Sequence, residues 1–298
     1  MIDFEADFLR FDHKWGLGEI LINIEPFCRK GWLIRRICMN AMNDKALVEK
    51  QYQSASNLNA RISIHDKYSV NKQGFGNWIV SNYKIEKGMR VLELGCGTGS
   101  MWKNQENVIG KCKELILTDL SEGMLSTARE NVGDLPGVTY RMVDIQDIPF
   151  EGSSFDIVIA NMMLYHVPDL QKGLSEVARV LKDNGTFYCA TGGEHGIMEY
   201  VAGLLKPYGV DYRANSNFSL QNGAPKLSQY FFSVEMREYM DALEVTNLDD
   251  FMEYIFSGIS FPKACTLERE KVREILHQNM VNGVLRVPKE AGLFICRR

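Results

Sequence analysis

The chain has 298 residues, 45% hydrophobic and 24% charged, which is enough to bury a sizeable core and too apolar for a disordered chain. Its 34 Lys and Arg against 38 Asp and Glu leave a formal net charge of −4, without the bulk basic excess of a nucleic-acid binder. There is no apolar run of membrane-spanning length, no basic-then-apolar leader pattern at the start, and no C-x-x-C pair among seven scattered cysteines. The expectation is a reduced, soluble, cytoplasmic protein with neither a disulfide framework nor a metal site.

In chain order, residues 1–65 read as an N-terminal helical extension. Within it, Glu19–Arg36 mixes apolar positions with a basic cluster (Arg29, Lys30, Arg35, Arg36), a pattern that suits docking to a membrane surface or an acidic partner but is more often a solvated helix face, and Ala46–Ile64 has helical spacing. From Met89 short apolar runs alternate with longer amphipathic ones, as in repeated strand–helix units. Strands are expected at Arg90–Leu94, Glu114–Asp119, Val138–Val143, Phe155–Ala160 and Gly185–Ala190. Helices are expected at Ser100–Val108, Glu122–Asn131 and Leu170–Leu181. This is an α/β pattern, the core of a doubly wound parallel sheet over 66–193. Residues 194–225, rich in Gly, Asn, Tyr and Phe, read as a lid inserted after strand 5. Residues 226–298 then complete the sheet, with one long strand at Gln229–Val245, helices at Leu248–Ser257 and Leu267–Met280, and a closing strand at Gly292–Cys296.

The strongest signal is Val91-Leu-Glu-Leu-Gly-Cys-Gly-Thr-Gly99, a buried-type strand running into Gly95-x-Gly97-x-Gly99. Glycines at a strand-to-helix turn let a ligand approach the backbone closely. The spacing departs from the dinucleotide fingerprint, which has a further glycine where Ser100 stands. Glu93, inside the strand, would repel a pyrophosphate and attract a cation. Asp119, twenty residues beyond Gly99, ends the second strand, where a carboxylate can accept bonds from ribose hydroxyls. Asp144 ends the third strand, within reach of an adenine amino group. The fourth strand leads into Asn161 and Met162-Met-Leu-Tyr-His-Val-Pro-Asp169. All of these lie at carboxyl ends of strands, where open α/β sheets bind ligands.

These residues in this order resemble the class I S-adenosylmethionine-dependent methyltransferases, and within them the small-molecule, type 11 branch that includes quinone-biosynthesis enzymes. The likeness covers Gly88–Thr191. It implies a Rossmann-like seven-stranded sheet whose last strand is antiparallel, with S-adenosylmethionine as cofactor. Carried over by position, it sets Glu93, Gly95, Cys96, Gly97 and Gly99 along the methionine portion and Asp119 and Leu120 at the ribose and adenine. Asp144 and Ile145 fall at the adenine edge, and Asn161 at the amino-acid end. Arg61, His65 and Tyr68, just before the domain, are candidates to close over the cofactor.

The sulfonium already carries an activated methyl group, so catalysis reduces to in-line positioning of a small-molecule acceptor through O, N, S or C, helped by a general base where the acceptor is protonated. His166 leads as that base, followed by His195 and Tyr165. Lid aromatics Tyr200, Tyr208, Tyr212 and Phe218 can wall an apolar acceptor pocket. Three alternatives share the pattern: a tRNA or rRNA methyltransferase, which the acidic balance disfavours; a non-catalytic cofactor-binding regulator; and a nicotinamide oxidoreductase, which the glycine spacing and Glu93 disfavour. The acceptor and the oligomeric state are not legible.

Overall fold

The computed structural model describes residues 63–211, 217–257, 261 and 265–298. Strands β1 (Arg90–Leu94), β2 (Glu114–Asp119), β3 (Val138–Met142) and β4 (Phe155–Ile159) fall where the apolar runs predict them, and β5 (Leu181–Gly192) begins earlier than expected. With β6 (Ser233–Glu238) and β9 (Ala291–Arg297) they form a seven-stranded sheet in the order β3-β2-β1-β4-β5-β9-β6. The first five strands are parallel, and β9 runs antiparallel to both β5 and β6. A Rossmann-like sheet with an antiparallel last strand is thus present.

Alternate residues of each inner strand feed two cores. One face carries Leu92, Ile116, Val158 and Phe187, packed with Leu174 and Val177 of α4 (Leu170–Val180). The other carries Val91, Leu117, Ile159 and Leu293, packed with Ile79 of α1 (Phe75–Asn82), Trp102, and Ile109 of α2 (Glu106–Ile109). Strands buried on both faces have no polar side to alternate, so they read as apolar runs. The helix α3 (Glu122–Val132) is capped by Ser121, whose hydroxyl accepts the Met124 N–H, leaving Asp119 for another task.

Three expectations are corrected. The single helix expected over Ser100–Val108 is a 3₁₀ turn, Ser100–Trp102, followed by a break at Asn104 (φ 61°) and the short α2; burial of Trp102 pulls that turn inward. The strand expected over Gln229–Val245 is divided into β6 and β7 (Asp241–Val245), and β7 pairs with the unforeseen β8 (Leu285–Lys289) in a second, two-stranded sheet. Phe218, a proposed pocket wall, is 1% exposed and packs edge-on against Phe294 in the core of the large sheet.

The division of β6 from β7 is a bend in one continuous antiparallel ribbon. Glu238 pairs with Gly292 on one side of it and Asp241 with Lys289 on the other, with two residues on each strand between. Nothing is inserted, so the register runs through unbroken. At the bend Glu290 accepts the His195 N–H and the Gln221 amide on its carboxylate, and the Gly193 N–H on its carbonyl. A Cβ on Gly193 would lie 2.0 Å from the Glu290 carboxylate, so a larger residue there would displace that side chain from its bonds.

Beyond the bend lies a small lobe with its own core. It gathers Leu243, Leu285 and Val287 of β7 and β8, Val201 of α5 (Ile197–Leu205), Phe251 of α7 (Leu248–Phe256) and Ile275 of α8 (Arg269–Gln278). The segment expected to be a lid therefore contributes α5 to this lobe and α6 (Leu220–Leu227) to the flank of the large sheet. The N-terminal extension lies outside the described residues except for positions 63–65, among which Ile64 joins the small-lobe core. Among the described residues no helix is long and apolar enough to cross a membrane.

Candidate active site at the carboxyl ends of the strands

Gly95, Gly97 and Gly99 all have positive φ, at 70°, 56° and 67°, a region that disfavours other residues because of their Cβ. At Gly99 an added Cβ would sit 3.0 Å from Val132 Cγ2 and 3.1 Å from Ala128 Cβ of α3. We expect Gly99→Ala to cost about 1–3 kcal/mol from both strain and crowding, measured as a lower denaturant midpoint with an unchanged slope. An unshifted midpoint would contradict this geometry.

Asp119 fastens the loop. Its two carboxylate oxygens accept the Gly97 and Ser121 N–H groups, each at 2.9 Å. Burial raises its pKa, and the backbone N–H bonds oppose that rise. Each oxygen retains a second acceptor site, so ribose hydroxyls can still donate to it. Beside it, Leu120 is half-buried.

Below the loop is a buried polar cluster. Glu93 is 2% exposed on β1; its carboxylate accepts the Trp102 indole N–H and lies 3.5 Å from the Asn161 amide nitrogen. That nitrogen also donates to the Tyr83 hydroxyl at 2.7 Å, while Asn161 Oδ1 accepts the Ala190 N–H at 3.1 Å. Burial pushes the Glu93 carboxyl up to about 7, the Asp119 charge adds to the push, and the Trp102 and Asn161 donors counter it. Among the described residues no lysine or arginine pairs with Glu93. A buried carboxyl with neutral donors only is poised to receive a cation.

The other candidates are distributed as follows. Asp144 is half-buried and accepts the Gln146 N–H and side-chain amide at 2.9 and 3.1 Å. The Ile145 side chain is buried in the core against Gly173. The Cys96 thiol is pushed well up by burial, which removes it as a thiolate nucleophile. His166 and Tyr165 share the 3₁₀ turn after β4, half-buried, their rings 4.4 Å apart. His195 faces outward and pairs with Glu199 at 2.8 Å, a contact that raises its pKa. Tyr68 belongs to the small lobe, where its hydroxyl donates to Asp250 at 2.6 Å, and the His65 ring packs edge-on against Tyr254. Tyr200 packs on the small-lobe core, and Tyr208 lies under Lys271. Arg61 and Tyr212 lie outside the described residues.

Tyr83 and Trp102 are the members of this cluster that sequence reasoning missed. Neither stands in a motif; Trp102 falls in a stretch with helical spacing, and Tyr83 in the connection before β1. The one available signal was Glu93 itself, since a carboxylate in a fully buried strand requires donors.

Residues 92–189 match the family described as Methyltransferase domain. This segment, about a third of the chain, is similar to that family. It contains the glycine loop, Asp119, Asp144 and Asn161, and β1 to β5 supply its scaffold. The chain is 33% identical over 111 residues to the demethylmenaquinone methyltransferase of Staphylococcus aureus, covering 37% of this chain and 46% of that protein. It is 32% identical over 148 residues to the ubiquinone/menaquinone biosynthesis C-methyltransferase UbiE of Pasteurella multocida, covering 49% and 51%. The chain thus spans about half the length of these curated relatives. Its fold is shared with a putative methyltransferase from Bacillus halodurans, with a TM-score of 0.54 at 17% identity over 75% of this chain and 98% of that one. The residues of this segment fit S-adenosylmethionine: a cradle no Cβ obstructs, carboxylates at the ends of β2 and β3, and a buried carboxyl lacking a cation.

Proposed function

We propose that this protein transfers the methyl group of S-adenosylmethionine to a small-molecule acceptor, and that the acceptor is a quinol-type aromatic. The observation that carries the reading is Glu93, a carboxyl sealed beneath the glycine loop with its pKa raised to about 7 by burial. A cationic amino-acid and sulfonium ligand lowers the cost of ionising such a group, whereas a pyrophosphate increases it. The acceptor class rests on the names of the two curated relatives. S-adenosylmethionine supplies the activated methyl; the chain's own residues bind, orient and move a proton.

In this reading Asp119 and Asp144 hold the nucleoside and Asn161 the amino-acid end. Arg61 and Tyr68 remain candidates to close over it. His166 takes the acceptor proton, with His195 and Tyr165 as the second and third candidates for that role. The test is formation of S-adenosylhomocysteine when demethylmenaquinol and other small hydroxyarenes are offered. Turnover with one of them is expected; binding without turnover on any small acceptor would overturn the reading. We expect His166→Ala to lower kcat by roughly a hundredfold with near-normal cofactor affinity, and His195→Ala to change it little. Equal effects of the two substitutions would remove His166 as the base.

A further inference from the structure

The outer edge of the large sheet is open along β6. Tyr239 donates its N–H to Ala291 of β9; alternation then turns the odd-numbered residues of β6 toward β9 and directs the backbone groups of Val234, Met236 and Glu238 outward. Asn71 closes the edge just beyond, donating its side-chain amide to the Met240 carbonyl. The open stretch is therefore Ser233–Glu238. Natural edges are usually blunted by proline, a bulge or a covering element. Beyond an irregular start, where Phe232 and Ser233 both meet Arg297, no proline or covering element blunts this one among the described residues, and around it stand Phe232 at 80% exposure, Met236 at 42% and Met240 at 76%.

Only certain self-pairings suit this edge. A two-fold axis at Glu235 sets like charge against like, and an axis at Arg237 does the same. An axis at Met236 opposes Glu235 to the partner's Arg237, and Arg237 to the partner's Glu235, in the closer, non-hydrogen-bonded positions. It also makes Val234 and Glu238 partners in the ladder and sets Phe232 opposite the partner's Met240 just beyond each strand end. Within one chain Arg237 already donates to Glu235 at 2.6 Å and to Asn82 at 2.6 Å, so the cross-axis contacts close a four-charge ring. The outward-facing residues that carry the ladder are the ones this axis pairs.

We propose that β6 is the seam of a symmetric dimer, in which two copies of the chain join their sheets antiparallel about Met236 through the Glu235–Arg237 charge pairs. The test is sedimentation velocity of the full chain at micromolar concentrations, combined with amide hydrogen exchange. A dimer is expected, with slow exchange at Val234, Met236 and Glu238. Met236→Lys, which sets two ammonium groups on the axis at an exposed position, should give a monomer with those amides in fast exchange. Glu235→Arg, which opposes like charges, should also dissociate it, and adding Arg237→Glu should restore the dimer because the double exchange preserves every opposite pair. A monomeric native protein, a dimer that survives Met236→Lys, or a dimer whose three outward amides exchange fast would each overturn the proposal.

Discussion

Glu93→Gln is expected to make the protein more stable and worse at binding S-adenosylhomocysteine. The carboxyl is carried from an ordinary 4.5 to about 7 by burial. Between those values the folded chain holds a proton that the unfolded chain has released, so stability falls as pH rises through the window. At about pH 8 the ionised group costs roughly 3 kcal/mol. Glutamine keeps an acceptor for the Trp102 N–H and carries no charge to desolvate. The variant should gain about 1–3 kcal/mol over the native chain at about pH 8, and the gap should close toward about pH 5. Denaturant unfolding across that range measures it, and a gap independent of pH would contradict the assigned burial cost. The same group gives a binding signature. A cationic ligand beside Glu93 favours the carboxylate, so the native protein should release a proton on binding near pH 7 and bind more tightly as pH rises. Calorimetry in buffers of different ionisation enthalpy should show that release in the native protein and not in Glu93→Gln. Buffer-independent heats for both would place the cation elsewhere.

Asp119→Ala carries the second large effect. It leaves the Gly97 and Ser121 N–H groups without the acceptor that fastens the loop to the end of β2. Charge-assisted bonds of this type are each worth about 1.5–3 kcal/mol, so affinity for S-adenosylhomocysteine should fall by roughly a hundredfold or more. Stability should fall by about 2 kcal/mol, because the loop lies at the half-exposed rim. Asp119→Asn, with one carbonyl acceptor retained, should fall between. Unchanged affinity in Asp119→Ala would remove the strand ends as the binding site.

The inner strands β1, β2 and β4 were legible because they are sealed on both faces, and a fully buried strand writes itself as an apolar run. Val91-Leu-Glu-Leu94 and Phe155–Ile159 are of this kind. The glycine loop and its carboxylates were legible from spacing. The partners of Glu93 were not, because Tyr83 and Trp102 meet it only in three dimensions. Nor was the small lobe, whose core is assembled from segments far apart in the chain, among them Val201, Leu243, Phe251 and Ile275. None of these is amphipathic toward a neighbour in sequence in a way that reveals which element it meets. The bend between β6 and β7 was hidden because residues 233–245 contain no glycine or proline to mark it; the punctuation lies on the partner strand, where Gly292 pairs with Glu238 and Pro288 with Ala242.

That ribbon has a mechanical consequence. Two strands locked in one register cannot slide past each other without breaking rungs on both sides of Tyr239–Met240, so the ribbon ties the small lobe to the large sheet without slippage. Glu290, bonded to Gly193, His195 and Gln221, fastens the ribbon to the segment after β5 and to α6. One residue in the middle of the ribbon thus holds three separate segments in register with it.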